Sequence, residues 1–577
     1  MRNLISLNGI WDFTFLEQEF DGRIPARLVF ESALSVPGCF DVAAPWFGKR
    51  GVGFYRRSVY TGGLVQLSID GLGIAGEIFW DGKNIGSCPY AYMPEKFTFK
   101  AGERGWHELL IMVSNQYNKV FFPFYDFYAF GGIFGDVTLE ELPKDHLEWV
   151  RITTLDWHTG LIGLKVRANR FFRKEEKLEI GIDGKTVKSE RFSGREREYQ
   201  LKVPHFRLWS PDNPNLHQLE LRLKNDRIEE TFGIREIEIK GQKLLLNGKE
   251  LHLMGYNRHE SHPQFGAAMP PALMAADLQM LKDQGSNFIR GSHYPQRESF
   301  LKLCDRLGVL VWEETLGWDV KPPELFSRDF LRRQKDQARK LAAIHYNHPS
   351  IIIWGFMNET ESQLPRVRSI IKGVYNAYRE VDSTRPITYA SNKYEKDVCM
   401  DLVDLVAMNP YPGWGGMCWE EVSGIHHVEP RFAEIEAAVP KDKPYMISET
   451  GGSAIYGEHD PYRARWSEEY QADLIREICR VVFSNPRYCG LSIWHFSDAK
   501  SYINGGRVVG FNDKGVLDRY RRPKLAWEVI RNAIREARSK STKGKNFFEH
   551  CLSQQTDPNQ PKEEAICLPI KNYSQQY

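Results

Sequence analysis

The sequence has no long apolar run, no surplus of charge of one sign and no regular cysteine pattern. No stretch reaches the ~18–20 apolar residues that a membrane helix needs, so we expect no membrane partner. The formal net charge is only +2, which argues against a dedicated nucleic-acid binder. The nine cysteines form no Cys-x-x-Cys pair, which predicts reduced thiols rather than a disulfide framework or a zinc site. No secretory signal is visible, so we expect a cytoplasmic location, and a signal removed before this numbering began is the alternative.

The overall composition is that of a large globular protein. Hydrophobic residues make up 42% and charged residues 26% of the chain. At ~100–200 residues per domain, the length predicts three or four domains. Aromatic residues reach 13%, with 15 tryptophans. This content is consistent with a large core and equally with aromatic rings that stack on the apolar faces of sugars.

The N-terminal part of the chain predicts two β domains. Residues 1–142 contain short alternating strands separated by Gly, Pro and Asp-Gly turns, a pattern typical of a sandwich or jelly roll. Residues 143–240 are again rich in strands and have about the size of an immunoglobulin-like sandwich. They contain no cysteine pair, so this second prediction rests on the strand pattern alone.

From residue 241 the pattern changes to apolar strands that alternate with amphipathic helices. Eight such strands predict a (β/α)8 barrel over residues 241–538. A doubly wound open sheet is the alternative, and the lack of a Gly-rich phosphate turn after the first strand argues against it. Residues 539–577 are polar and predict a mobile or loosely packed tail. The expected fold is thus a β jelly roll, an immunoglobulin-like β-sandwich and a TIM barrel.

Two glutamates of the predicted barrel each follow a short apolar strand. Glu359 closes the run that begins at Ser350, and Glu449 closes the run that begins at Pro444. In a (β/α)8 barrel the active site lies at the C-terminal face, where the strands end. If both strands belong to one barrel, the two carboxylates can face each other. A facing pair is the minimum equipment for cleaving a glycosidic bond.

Polar and aromatic residues follow most of the other predicted strands, and so many on one rim are difficult to attribute to packing. They are Arg258, His259, His293, Glu313, Glu314, Asn409, Tyr411, Trp494 and Asp498. Taken singly, each has a plainer explanation: a lone histidine is commonly scaffold, and Glu313-Glu314 fits a solvated loop. His259 and His262 have no third ligand at a suitable spacing, so we expect no metal and no cofactor.

The order of these motifs resembles that of glycoside hydrolase family 2. The motifs are Gly255–Glu260, Asn287–His293, Asn347–Ser350, Asn358-Glu359, Ser448-Glu449 and the single Trp494. The Asn-Phe-Ile-Arg, Asn-His-Pro-Ser and Asn-Glu elements are specific in this order. The resemblance covers roughly residues 5–537. It implies a jelly roll, an immunoglobulin-like domain and a barrel in that order, which agrees with the strand and helix pattern.

The resemblance implies a retaining exo-glycosidase in which Glu449 is the nucleophile and Glu359 the general acid/base. Retention needs two carboxyls ~5–5.5 Å apart, one of them ionised and the other protonated. Asn358 is expected to bond the sugar 2-hydroxyl, and Tyr411 to bond the nucleophile. Family members are often dimers or tetramers, so we expect a homo-oligomer.

Further rim residues are expected to bind the substrate or to wall the site. His259 and Asn409 are candidates for hydrogen bonds to the sugar. Trp354 and Trp494 are candidates for apolar walls that raise the pKa of the acid.

The segment from Arg507 to Lys524 bears on which sugar is bound. Asn512-Asp-Lys514-Gly resembles the Asn-x-Lys-Gly element of the β-glucuronidases in this family, whose Asn and Lys bind the sugar carboxylate. A desolvated carboxylate is costly unless a cation and donors meet it. The plainer interpretation is a hairpin turn. The family arginine stands four residues before the asparagine, where this chain has Val508. Arg507 lies one position earlier and is the candidate for this role, since a one-residue insertion would let it reach the carboxylate.

Asp126 is the candidate sugar ligand from the first domain. The stretch Tyr125–Ile133 resembles a loop whose aspartate reaches the glycone in glucuronidases, and the alternative is an aspartate that caps a turn. The leading hypothesis is hydrolysis of terminal β-D-glucuronides, either small molecules or glycans. β-Galacturonides, β-galactosides or β-mannosides are the alternative substrates, and a non-catalytic carbohydrate-binding protein is the alternative class.

Overall fold

The computed structural model describes residues 2–116, 127–414, 424–501 and 510–543. The predicted tail, 539–577, therefore lies outside the described residues except for its first five positions, which continue the last helix. Within the described ranges, no helix combines the length and the apolar character needed to cross a membrane. The six cysteines in these ranges are buried and unpaired.

The first part of the chain is an antiparallel β structure whose two longest strands pair with each other at its centre. In the second strand, Trp11 and Phe13 are buried and alternate with exposed residues, as expected for a strand with one face on a core. The strands are β1 (Asn3–Ser6), β2 (Gly9–Leu16), β3 (Ser32–Val36), β4 (Gly38–Cys39), β5 (Val52–Ile69), β6 (Ala75–Trp80), β7 (Lys83–Cys88), β8 (Glu95–Ser114), β9 (Gly132–Ile133) and β10 (Val137–Glu141).

A second antiparallel sheet of five strands follows and has its own core, which includes Leu164, Val166 and Leu221. Its strands are β11 (Leu147–Asp156), β12 (Leu161–Ile182), β13 (Lys185–Lys202), β14 (His217–Leu223) and β15 (Asp226–Phe232). Three short strands come next: β16 (Ile237–Lys240), β17 (Lys243–Leu246) and β18 (Lys249–Glu250). Leu244 and Leu246 pack against the starts of the barrel strands and cover that end of the barrel.

The remaining strands form one parallel sheet that curves into a barrel. They are β19 (Leu253–Arg258), β20 (Phe288–Gly291), β21 (Leu310–Glu314), β22 (Ile351–Gly355), β23 (Ile387–Thr388), β24 (Ala390–Ser391), β25 (Val406–Met408), β26 (Tyr445–Ile447) and β27 (Tyr488–Ile493). The order β23-β22-β21-β20-β19-β27-β26-β25-β24 begins and ends with strands separated only by Tyr389. The predicted barrel is therefore confirmed, and the open-sheet alternative is wrong. Its fifth strand is split at Tyr389, and the hairpin β28 (Ala499–Lys500) and β29 (Phe511–Asn512) follows the eighth.

Seven helices in the described residues cover the barrel. They are α1 (Pro271–Gln284), α2 (Glu298–Leu307), α3 (Arg328–Ile344), α4 (Val367–Arg379), α5 (Val428–Ala438), α6 (Glu468–Ser484) and α7 (Leu525–Lys543). The local sequence determines where several of these helices begin or end. Ser327 and Ser467 cap α3 and α6 by accepting from backbone N–H groups, and Gly285 ends α1 with a φ of 104°.

The first β domain packs on the barrel rim that carries the C-terminal ends of the strands. Tyr92 stacks on Tyr294 with ring centroids 3.8 Å apart, and Arg297 donates a hydrogen bond to the carbonyl of Phe134. Phe127 contacts the ring of His259. The first domain thus contributes side chains to the rim where the predicted site lies.

The second β domain is held at the opposite end by the Asn-His-Pro-Ser motif. Asn347 accepts a hydrogen bond from the N–H of Ile152 and donates one to the carbonyl of Val150, each 2.9 Å long. The side-chain amide therefore completes the edge of strand β11 as a neighbouring backbone would. Ser350 N–H is bonded to Asp305, so the motif is anchored to the barrel as well.

Replacing Asn347 with alanine is expected to lower the free energy of unfolding by about 1–3 kcal/mol, because two backbone groups of β11 lose their partners. Asn347→Asp is the matched variant: it keeps the acceptor for Ile152 and loses only the donor to Val150. Urea unfolding followed by tryptophan fluorescence measures both. An alanine variant as stable as the wild type contradicts this role.

Candidate active site

The two predicted glutamates lie on the same rim of the barrel. Glu359 follows β22 and Glu449 follows β26, and parallel strands end on one side. Glu359 has a φ of 53°, which is uncommon for a residue with a side chain, and its N–H donates to the carbonyl of Ala390 at 2.8 Å. This bond ties the residue to the neighbouring strand. Glu449 is 3% exposed.

The guanidinium of Arg290 lies at the centre of the site. Its Nη1 donates to Glu449 Oε1 at 2.6 Å, and its Nη2 donates to Asn358 Oδ1 at 2.9 Å. Its Nε donates to Glu314 Oε2 at 2.9 Å, and Glu314 also contacts His293 Nδ1 at 3.1 Å. Arg290 is fully buried, so one cation fixes two carboxylates and an amide away from bulk water.

Asn409 connects the second glutamate to this network. Its Nδ2 donates to Asn358 Oδ1 at 3.0 Å and to Glu359 Oε1 at 3.1 Å. On the other carboxylate, Tyr411 Oη donates to Glu449 Oε2 at 3.0 Å. A continuous chain of hydrogen bonds therefore runs from Glu359 through Asn409, Asn358 and Arg290 to Glu449. The two carboxylates lie close enough for each to affect the other electrostatically.

Burial raises the pKa of Glu449 to about 8, and the negative charge of Glu359 adds to the rise. Arg290 and the hydroxyl of Tyr411 act in the opposite direction. Arg290 likewise holds the pKa of Glu314 below its usual value, although burial opposes this. Two neighbouring carboxyls that repel each other retain one proton between them at neutral pH.

His259 lies against the hydroxyl of Tyr294. Tyr294 Oη accepts the N–H of Glu260 at 2.9 Å and forms a hydrogen bond with His259 Nδ1 at 3.2 Å. Burial lowers the pKa of His259 well below its ordinary value, so the ring is neutral. Its Nε2 is a buried atom that has no hydrogen-bond partner in the described ranges.

Aromatic rings surround this histidine. Trp494 meets His259 edge-on at 5.2 Å and stacks on His293 at 5.1 Å, while Phe127 stacks on His259 at 5.1 Å. Trp494 therefore lies among the rings of the rim. Trp354 does not, because its ring stacks on Tyr378 of α4 and its Nε1 donates to Asp382. The direction of its side chain within the strand sends it to the outside of the barrel.

Asn512 and Lys514 lie beside the end of the eighth strand, which also brings them to the rim. The carbonyl of Lys514 accepts the N–H of His495, and the next residues pair with the backbone after β27. Lys524 bonds Asp498 at 2.8 Å and the carbonyl of Asp513 at 3.0 Å, which fixes this segment. Lys514 is 8% exposed and Asn512 is fully buried. A simple solvated hairpin turn does not fit such burial.

Two predicted ligands cannot be placed. Asp126 and Arg507 lie outside the described residues, and their roles stay predictions. The interpretation of Glu313-Glu314 as a solvated loop is wrong, since both side chains are at most 1% exposed. No group of three or more His, Cys, Asp or Glu side chains in the described part of the chain is arranged to hold a metal ion.

Several residues of the site had no predicted role. Arg290 was visible only as the last letter of the Asn-Phe-Ile-Arg motif, and Tyr294 follows His293 in the same motif. Glu314 ends β21, so the sequence predicted its position on the rim but not the residue that it bonds. Phe127 comes from the first domain. The resemblance of Tyr125–Ile133 to a loop that reaches the glycone predicted this segment near the site, but it did not identify His259 as the partner of Phe127.

Fold and site together define a barrel protein with paired carboxylates on its C-terminal rim. Residues 237–538 match the model of the TIM barrel domain of glycosyl hydrolases family 2, and residues 151–235 match a further model of that family. The chain belongs to glycosyl hydrolase family 2, and the predicted family is confirmed.

The chain is similar to proteins that cleave uronides. It is 30% identical to a beta-glucuronidase of Rattus norvegicus over 428 residues, 70% of this chain and 64% of the relative. It is 29% identical to a beta-glucuronidase of Streptococcus agalactiae over 69% of this chain and 70% of the relative. A GH2 beta-galacturonidase of Eisenbergiella tayi, solved with galacturonate, is 32% identical with a TM-score of 0.84, covering 93% of this chain and 97% of that one. The chain thus spans somewhat less than two thirds of the rat relative's length.

Replacing Arg290 with methionine is expected to destabilise the protein by about 3–5 kcal/mol at neutral pH, because two buried carboxylates lose their cation. The loss should grow with pH. Without the guanidinium the pKa of Glu314 in the folded state rises above its unfolded value, so the folded state binds more protons and stability falls as pH rises through that pKa.

Melting temperatures of wild type and variant at pH 5 and pH 8 measure this effect. Arg290→Lys is the matched control, since it keeps the charge and loses the forked geometry, and a smaller loss is expected. A difference from wild type that shrinks at the higher pH contradicts the assignment.

Proposed function

We propose that this protein is a retaining exo-β-glycosidase that hydrolyses terminal β-D-glucuronides, with Glu449 as nucleophile and Glu359 as general acid/base. The observation that carries the proposal is the hydrogen-bond chain through Arg290 and Asn358 that joins two carboxylates on the barrel rim. Paired carboxyls of this kind are the apparatus of glycoside cleavage.

The contacts of the two carboxylates support different roles for them. The charged donor Arg290 and the hydroxyl of Tyr411 both bond Glu449, and both favour its ionised form. The proton that the pair retains then belongs to Glu359, whose hydrogen bond from Asn409 comes from a neutral amide. A protonated Glu359 no longer adds its charge to the rise in the pKa of Glu449, and Arg290 and Tyr411 oppose the remaining effect of burial. On this ground we propose that Glu449 is the ionised member of the pair.

The reaction follows from this distribution of protons. Glu449 attacks the anomeric carbon while Glu359 gives its proton to the leaving oxygen, and a glycosyl ester on Glu449 forms. Glu359, now ionised, takes a proton from water, which attacks the same carbon and releases the sugar with its original configuration.

Buried polar atoms without partners fit the hydroxyls of a sugar. Asn358 Nδ2 has no hydrogen-bond partner among the described residues, although its Oδ1 accepts two bonds. His259 Nε2 is likewise buried and without a partner there. A buried polar atom without a partner is costly, so a ligand that bonds these two atoms gains binding energy from them. We propose the 2-hydroxyl for Asn358.

We further propose that Lys514 and Asn512 bind the sugar carboxylate. Both are buried beside the eighth strand, and Lys514 Nζ lies 5.9 Å from the ring centroid of Trp414. A buried ammonium on the rim favours an anionic substrate over a neutral one. Asp126 and Arg507 remain candidates for the same sugar.

β-Galacturonides are the second candidate substrates. The galacturonidase of E. tayi is 32% identical over 93% of this chain, and its substrate carries the same carboxylate. A galactoside would not use the ammonium. Homo-oligomeric assembly, suggested by the family resemblance, and a cytoplasmic location stay predictions.

Glu449→Gln is expected to abolish hydrolysis almost completely, and Glu359→Gln to lower it by about 10²–10⁴-fold. A 4-nitrophenyl leaving group, which needs little protonation, should partly rescue the Glu359 variant and not the Glu449 variant. The opposite pattern means that the roles are exchanged. An NMR spectrum of the first-formed anomer tests retention. A wild type no more active than Glu449→Gln would indicate a carbohydrate-binding protein instead.

Lys514→Ala is expected to lower kcat/KM for 4-nitrophenyl uronides by at least about 30-fold, equivalent to ~2 kcal/mol, because the substrate carboxylate loses its cation. Cleavage of the matching galactoside should change far less. Lys514→Arg keeps the charge and is the control. An equal loss on uronide and galactoside shows that Lys514 is scaffold, and faster turnover of the galactoside by the wild type rejects a uronide substrate.

A further inference from the structure

A cavity of about 210 Å³ lies between the second β domain and the end of the barrel opposite the candidate active site. Thr153 and Thr154 of β11 line it from one side. The loops before β22 and β23 line it from the other, with Pro349 and with Ser383 to Arg385. Arg235, in the connection between the two domains, lies in its wall.

The charge of Arg235 has no carboxylate partner in the cavity wall. Its Nε donates to the carbonyl of Pro349 at 3.1 Å and its Nη2 to the carbonyl of Ile351 at 3.0 Å. A guanidinium has five N–H groups, so these bonds use two of them. Arg235 is 8% exposed, and no Asp or Glu of the described residues forms an ion pair with it.

The neighbouring charges do not supply the missing anion. Arg385 is bonded to Asp382 at 2.6 Å and to the carbonyls of Ile351, Tyr346 and His348, so the nearby buried carboxylate of Asp382 is already engaged. Burial and the positive charge of Arg385 lower the pKa of Arg235. Glu236 also lines the cavity, but its side chain is exposed.

The cavity wall offers hydroxyl groups as additional donors. Thr154 Oγ1 accepts the N–H of Arg235 at 3.3 Å, which leaves its hydrogen available, and Ser383 stands at the opposite wall. The neighbouring Thr384 already donates its hydroxyl hydrogen to Asp382 at 2.7 Å. At ~30 Å³ per water molecule, the cavity has room for about seven waters. The five heavy atoms of a tetrahedral oxyanion fit in this space.

We propose that this cavity binds a small oxyanion of the phosphate or sulfate class, held by the guanidinium of Arg235 and the hydroxyls of Thr154 and Ser383. Bonds to backbone carbonyls explain two of the N–H groups of Arg235 and leave it without an ion-pair partner among the described residues, since Asp382 and Asp305 act on it only from beyond ion-pair distance. A buried charge is costly without a counter-ion, and a forked guanidinium matches the oxygens of such an anion. The anion would join the second domain to the barrel, far from the chemistry on the other rim.

Calorimetric titration of the full chain with sodium phosphate, sodium sulfate and a sugar phosphate tests this proposal, with sodium chloride at equal ionic strength as reference. We expect one site per chain and a rise in melting temperature with phosphate or sulfate. Tighter binding of the sugar phosphate would indicate a phosphate ester as ligand, and equal binding the inorganic ion. Identical melting in all the salts overturns the proposal.

One pair of variants at Ser383 and a single variant at Lys514 locate the site. Ser383→Asp puts a carboxylate at the cavity and is expected to weaken anion binding by about tenfold or more, whereas Ser383→Asn, equal in size to the aspartate variant but neutral, should weaken it much less. Neither change touches the bonds of Arg235 that the fold uses. Lys514→Ala should still bind phosphate and show the rise in melting temperature, because its ammonium is on the other rim. If Lys514→Ala loses phosphate binding and Ser383→Asp keeps it, the anion binds at the active site and the proposal is overturned.

Discussion

The guanidinium of Arg290 is the interaction on which the candidate site depends. It bonds Glu449, Glu314 and the side chain of Asn358, and through Asn358 and Asn409 it reaches Glu359. So many buried carboxyls on one rim would repel each other or remain protonated without a cation among them. The planar guanidinium has five N–H donors and bonds these carboxylates in a fixed geometry. Its positive charge also favours the ionised form of Glu449.

The two β domains pack on opposite ends of the barrel. The first covers the rim of the site and adds Phe127 to the aromatic rings around His259. The second is attached at the other end through Asn347, near a cavity that holds the unpaired charge of Arg235. The barrel thus separates the rim that carries the candidate active site from the end that holds the second domain.

Much of the barrel was predictable from sequence because its signals are local. Apolar runs, helix caps such as Ser327 and Ser467, and the glycine after α1 each act within a few residues. The same strands placed Glu359 and Glu449 at strand ends. The split of the fifth strand at Tyr389 and the outward direction of Trp354 were not predictable, since they depend on how neighbouring strands and α4 pack.

The sequence by itself determined the strand ends, the positions of the two glutamates and the family, because periodicity and motif order are properties of the chain. Only the tertiary structure decided which polar groups meet. Arg290 and Glu449 are 159 positions apart, and Phe127 and His259 come from different domains. Closure of a parallel sheet and docking of a second domain bring them together, and no local pattern encodes the partner of a side chain across such distances.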